Sequence, residues 1–173
     1  QVCLLAERLV ALGLNPGDRV MIVSENRPEW CIADLAIMAA GCITTPAYTT
    51  NTEGDHCHIL DDSGARCVFV SNDKLAKPLV AAMLRSGQAE HLIAMDKLPS
   101  SQSGSFAIHQ WPTMVTGDAA AARAAVEARM AGFTRDTIAC IIYTSGTSGS
   151  PRGVMLHHGA LLHNVLAAGE VLA

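Results

Sequence analysis

Apolar positions along the chain follow two alternating rhythms. Val2, Leu5, Leu9 and Leu12 recur at helical spacing and stop at Gly13, just before Asn15-Pro16-Gly17-Asp18, which predicts an amphipathic helix closed by a turn. Residues 19–24 are then apolar without alternation, the pattern of a strand covered on both faces. The same pair of rhythms continues. A helix over residues 28–41 is predicted with Asn26 as its cap, Pro28 in its first turn, and Trp30, Leu35, Ile37 and Met38 in the core. A strand follows at 42–48. Thr52 opens the next helix with Asp55 near its positive end, and Asp62-Ser63-Gly64 closes it. A strand at 66–70, a helix at 72–85 and a strand at 91–95 complete the regular part.

Between residues 96 and 118 Ser, Gln, Gly and Pro become frequent, which predicts a loop-rich surface connection with room for a short strand at 106–109. Residues 119–130 have high helix propensity and residues 137–144 are β-rich. A Gly- and hydroxyl-rich loop, a short strand at 153–157 and a helix from 159 onward end the chain. Helix and strand in alternation, without a repeat of fixed period, predict an α/β fold: a layered, mostly parallel sheet with helices on both faces.

Composition narrows what such a fold can do. The length of 173 residues suits one domain, yet charged residues make up only 16% against a typical ~25%. Some apolar surface is therefore expected to be covered by something outside this chain. A net charge of −4 and 4% aromatic residues give neither a phosphate-neutralising patch nor a base-stacking platform, so nucleic acid is not an expected partner. The uncharged stretch 35–52 is interrupted by Gly41, Pro46 and several threonines, and no transmembrane segment is expected. Gln1 is not expected to be a native start, and the opening residues do not read as a secretory leader. Six cysteines without a CxxC pair predict thiols in a reducing cytoplasm.

The candidate chemistry lies in residues 143–153, Tyr-Thr-Ser-Gly-Thr-Ser-Gly-Ser-Pro-Arg-Gly. Its glycines permit turns that expose backbone N–H groups, its hydroxyls donate hydrogen bonds, and Arg152 is a permanent cation, a combination suited to a polyphosphate. Transfer at phosphorus needs charge neutralisation and positioning more than a covalent nucleophile. A Walker loop, a G-x-G-x-x-G fingerprint and a G-x-S-x-G elbow are all absent, and no two glycines are separated by a single residue,.

Residues 143–154 resemble the phosphate loop of the AMP-forming, adenylate-forming enzymes, approximately Y-T-S-G-T-T-G-x-P-K-G-V. Ser148 stands in a Thr position and Arg152 in the Lys position. The resemblance extends to Gly17-Asp18-Arg19-Val20, to residues 24–30 (Ser-Glu-Asn-Arg-Pro-Glu-Trp) and to residues 41–48, and its wording is most similar to long-chain fatty-acid–CoA ligases. It implies that residues 1–173 are an incomplete N-terminal α/β portion of the AMP-binding domain. It further implies that Thr144, Ser145, Gly146, Thr147, Ser148, Gly149 and Arg152 bind the β- and γ-phosphates of ATP. By the same resemblance, Thr144 matches a position whose hydroxyl approaches Mg2+, and Arg152 would stabilise charge on the departing pyrophosphate.

The implied reaction joins a fatty acid to AMP and then to coenzyme A. Segments for adenine, ribose and a C-terminal lysine fall outside these residues, so the chain alone is expected to be inactive. The implied location is cytoplasmic, compatible with peripheral membrane contact and with a homo-oligomer. Two alternatives stay open: another adenylate-forming enzyme that activates aryl or amino acids, and a non-catalytic nucleotide-binding module. His56-Cys57-His58 reads as ordinary helix surface and core because consecutive helix residues point ~100° apart. Asp61-Asp62 reads as a helix-end turn, and His157, His158 and His163 as packed or solvent-facing groups.

Overall fold

The structure, a computed structural model, describes residues 1–98, 105–144 and 151–172. Its elements in chain order are α1 (Val2–Ala11), β1 (Arg19–Val23), α2 (Pro28–Ala39), β2 (Ile43–Ala47), α3 (Glu53–Ser63), β3 (Cys67–Val70) and α4 (Asp73–Ser86). β4 (His91–Ala94), β5 (Ala107–Gln110), α5 (Trp111–Met114), α6 (Ala119–Met130), β6 (Ile138–Thr144), β7 (Arg152–His157) and α7 (His158–Leu172) follow. The described strands form one sheet of seven in the order β5-β4-β3-β1-β2-β6-β7, parallel throughout except for the antiparallel β6–β7 pair.

The unbroken apolar strands are explained by burial on both faces. Val20 and Ile22 of β1 enter one core with Cys67 and Phe69 of β3, packed under α1, α2, α5 and α6. Met21 and Val23 alternate to the other face and meet Val68, Val70 and the apolar residues of α3 and α4. β1, β3 and β4 thus contribute side chains to both cores, and a polar residue on either face of them would be buried,.

Local signals set most helix ends. Thr52 and Asp55 form a reciprocal capping box at α3, and Gly64 ends that helix in the left-handed conformation with φ of 62°,. Asn72 caps α4 by accepting from the Leu75 N–H. Asn26 does not cap α2. Arg27 occupies that position in an extended conformation without a side-chain cap, and the Arg27 side chain binds Glu29 and Asp96 instead.

The interval 96–118 is not simply a surface connection. β5 pairs with β4 from His91↔Ala107 to Ala94↔Gln110 and extends the parallel sheet. The single helical turn of α5 brings Trp111 and Met114 into the core, with the Trp111 ring edge-on to Phe69 at 6.3 Å. Leu35, expected in the core, is 52% exposed on α2, whereas Ile37 is fully buried. Among the described residues no helix is long and apolar enough to cross a membrane.

Candidate functional site

β2, β1, β3, β4 and β5 run side by side, so the chain steps one way from β1 to β2 and the other way from β3 onward. Open parallel sheets of this kind bind ligands beyond the carboxyl ends of their strands. β6 lies parallel to β2 through the Thr44↔Cys140 pair. Thr144, four residues beyond Cys140 at the end of β6, therefore emerges on that same edge.

Two of the sequence-derived site residues lie within the described structure. Thr144 and Arg152 are direct partners across the antiparallel β6–β7 ladder, and both are exposed. Ser145, Gly146, Thr147, Ser148 and Gly149 lie outside the described residues. The ladder thus sets a hydroxyl beside a guanidinium at the sheet edge, a pair able to approach an anion.

Just behind this pair the packing is specific. Tyr143, 4% exposed, donates its phenol to Asp62 Oδ2 at 2.5 Å. Burial first, and the Asp62 carboxylate next, raise the Tyr143 phenol above its ordinary range, so it remains a protonated donor,. Gly153 of β7 leaves room for this ring: a Cβ there would meet Ile141 Cγ2 at 2.7 Å and Tyr143 Cζ at 3.2 Å. His58 lies edge-on to the Tyr143 ring at 6.2 Å, and its Nε2 is 2.8 Å from the Pro151 carbonyl oxygen. A carbonyl only accepts, so this nitrogen carries the proton.

Sequence reasoning missed these contacts. Asp62 lies within α3 rather than in a turn after it. His56 is almost fully buried, while His58, two residues on, reaches the base of the β6–β7 pair. The i,i+4 spacing of His58 and Asp62 was the available signal, since it puts both on one helix face.

A second polar group ties together the carboxyl ends of β1, β3 and β4. Glu25 accepts from the Ser71 hydroxyl at 2.5 Å and from the Asn72 amide at 3.3 Å. The Ser71 hydrogen bond, foremost, holds the Glu25 carboxyl below its usual range. Arg27 bridges Glu29 at 2.7 Å and Asp96 at 3.0 Å. These groups satisfy one another and brace the segment 24–30 against the neighbouring strand ends.

Magnesium is the ion that the resemblance implies at this sheet edge. Thr144 supplies one neutral oxygen, and Asp62 is engaged by Tyr143. Among the described residues no group of three or more His, Cys, Asp or Glu side chains could hold a metal ion. Magnesium normally takes carboxylates together with substrate phosphates and waters. Among the described residues Thr144 would therefore supply one neutral oxygen to a magnesium ion whose remaining ligands are phosphates and waters,.

The family model described as AMP-binding enzyme matches residues 1–172. The chain is 36% identical to the long-chain-fatty-acid–CoA ligase FadD15 of Mycobacterium tuberculosis over 92% of its own length and 25% of the relative's. It is 32% identical to a methyl-dioxo-octahydroindenyl-propanoyl:CoA ligase of the same bacterium, over 88% of this chain and 29% of that one. The chain thus spans about a quarter of the length of the curated relatives it matches. The solved luciferase-like enzyme of the mealworm Zophobas morio superposes with a TM-score of 0.75 at 20% identity, covering 96% of this chain and 36% of that one.

Proposed function

The chain belongs to the AMP-binding enzyme family, and from that premise we propose that it is the N-terminal α/β portion of a long-chain fatty-acid–CoA ligase. The observation that carries this reading is the position of Thr144 and Arg152, paired across β6 and β7 at the carboxyl edge of a parallel sheet, within a segment resembling the family's phosphate loop. The 36% identity to a long-chain ligase supports the choice of acid.

In this reading Thr144 to Gly149 and Arg152 receive the β- and γ-phosphates of ATP. A fatty carboxylate oxygen forms a bond to the α-phosphorus as the bond from that phosphorus to the β-bridging oxygen breaks. The products are an acyl-adenylate and pyrophosphate. The sulfur of coenzyme A then bonds to the acyl carbon, its thiol proton passing to solvent, and AMP departs with the electron pair of the broken acyl–oxygen bond. Arg152 neutralises charge on the leaving pyrophosphate, which requires no titrating side chain. Its planar fork can engage two phosphate oxygens, unlike the point charge of lysine. Magnesium, when bound with ATP, would supply Lewis-acid neutralisation of the same charge, and Thr144 would be the residue that offers it a protein oxygen.

The relatives' greater length supports a further part of the reading: residues 1–173 require later segments to complete the nucleotide and acid sites, and do not turn over alone. A second reading, an adenylate-forming enzyme for a different acid, has the support of the 32% identity to a ligase of a polycyclic propanoyl substrate. Pyrophosphate release by the intact enzyme against a panel of carboxylates separates the two. Palmitate and its homologues should be turned over fastest, whereas preference for cyclic, aryl or amino acids would select the second reading.

A further inference from the structure

Resting on that reading, we propose that His58 and Asp62 are positioning residues of the nucleotide-phosphate site. One helical turn apart on α3, they fix the two strands that present Thr144 and Arg152. Asp62 holds Tyr143, the residue before Thr144, by the 2.5 Å phenol hydrogen bond. His58 holds Pro151, the residue before Arg152, by its 2.8 Å contact with the carbonyl oxygen. The edge-on contact between His58 and Tyr143 joins the two attachments. A single helix face therefore grips both sides of the β6–β7 base from behind, without reaching the exposed Thr144 and Arg152 side chains.

The gripping helix is itself firmly held. Its first turn has the Thr52–Asp55 capping box. Its last turn is fastened to β1, where Arg19 Nε donates to the Ser63 carbonyl at 2.5 Å and Nη2 to the Gly64 carbonyl at 3.1 Å. Asp61, beside Asp62, accepts from the Ser86 hydroxyl at the end of α4. The capping box keeps the first turn helical, while β1 and α4 oppose displacement of the last turn, where Asp62 lies.

Pro151 makes the His58 contact more consequential. Proline has no N–H, so its carbonyl is the one polar backbone group available for anchorage at that position. Gly153 then allows the Tyr143 ring to lie close against β7. Small displacements matter at such a site, because a misplacement of about 1 Å can cost ~100-fold in rate.

The test uses the intact enzyme that contains this chain, with steady-state kinetics varied separately in ATP and in palmitate, together with thermal unfolding. His58→Ala and Asp62→Ala should each lower kcat/KM for ATP by about tenfold while KM for palmitate stays within about twofold. His58→Gln, which keeps an N–H donor, and Asp62→Asn, which keeps an oxygen acceptor, should recover most of the loss. Asp62→Asn combined with Tyr143→Phe should cost no more than Tyr143→Phe alone, because both act on one hydrogen bond.

Unchanged ATP parameters in folded His58→Ala and Asp62→Ala enzymes would overturn the inference, as would losses that follow the unfolding midpoint and strike both substrates equally. Arg152→Ala is the reference. If it impairs ATP use and the α3 variants do not, only the positioning inference fails. If Arg152→Ala is also silent, or the wild-type enzyme does not consume ATP, the underlying reading fails as well.

Discussion

Thr144 and Arg152 are paired residue to residue across the antiparallel β6–β7 ladder, at the edge where the parallel strands end. The pairing sets a hydroxyl and a fixed positive charge side by side although seven residues separate them along the chain. If Thr144 is an oxygen ligand of the magnesium carried by ATP, Thr144→Ala should raise the magnesium concentration needed for half-maximal adenylation, and Thr144→Ser should restore it. A magnesium titration of pyrophosphate release measures this, and identical titration curves for Ala and wild type would remove Thr144 from that role.

Gly153 is required for packing. A Cβ at this position would lie 2.7 Å from Ile141 Cγ2, within a ladder that also seats the Tyr143 ring. Overpacking of this kind costs roughly 1–3 kcal/mol. Gly153→Ala should lower the denaturation midpoint of the chain accordingly, and an unchanged midpoint would mean that the β6–β7 packing differs from that described.

Acid should weaken the fold below the ordinary histidine pKa of about 6.5. Burial lowers the pKa of His56, whose Nδ1 has no hydrogen-bond partner, and burial followed by the neighbouring His91 lowers that of His109. In both cases the unfolded chain binds the proton more readily than the folded one, so stability rises with pH. The contribution is complete above the ordinary histidine pKa of about 6.5 and is lost as pH falls through the lowered values. Urea midpoints measured from pH 8 down to pH 5 should decline, and replacing His56 and His109 by non-titrating residues should flatten that decline. A profile unaffected by these changes would assign the acid sensitivity elsewhere.

Apolar surface remains at one side of the molecule. Val165, Leu166 and Val171 of α7 are 69%, 64% and 84% exposed, and Met155 of β7 is 66% exposed. A groove of about 680 Å3 runs nearby between α1, α2, α6 and the start of α7, with Leu35, Met38, Met130 and Leu162 among its lining residues. The exposure of Leu35 accords with the expected uncovered apolar surface, and patches of this kind mark contact sites or association liabilities. The 173-residue chain alone should bind a hydrophobic dye and self-associate at micromolar concentration. A monodisperse monomer without dye binding would contradict this.

The strands and long helices were legible in the sequence because burial on both faces demands uninterrupted apolar runs, as in Val20 to Val23. β5 was barely legible: it has four residues, sits at the sheet edge and is not fully buried at any position. α5 is a single turn, too short for periodicity to separate Trp111 and Met114 from a loop. Asn26 looked like a cap by type, but Arg27 takes the capping backbone conformation. The phosphate-loop pattern was legible because its chemistry is contiguous. The α3 clamp was not, since Asp62 and His58 meet partners 81 and 93 residues later in the chain, and their i,i+4 spacing marks a shared helix face without identifying those partners.

The most direct measurement is trapping of the acyl-adenylate with hydroxylamine, using the intact enzyme, ATP, Mg2+ and palmitate, for wild type and Arg152→Ala. Wild type should form the hydroxamate only when ATP is present, and Arg152→Ala should form it about 100-fold more slowly, the usual cost of removing one charge-stabilising group, with Arg152→Lys intermediate. Equal rates for wild type and Arg152→Ala, or no ATP-dependent adenylate from any carboxylate, would contradict the assignment of this sheet edge as the nucleotide-phosphate site.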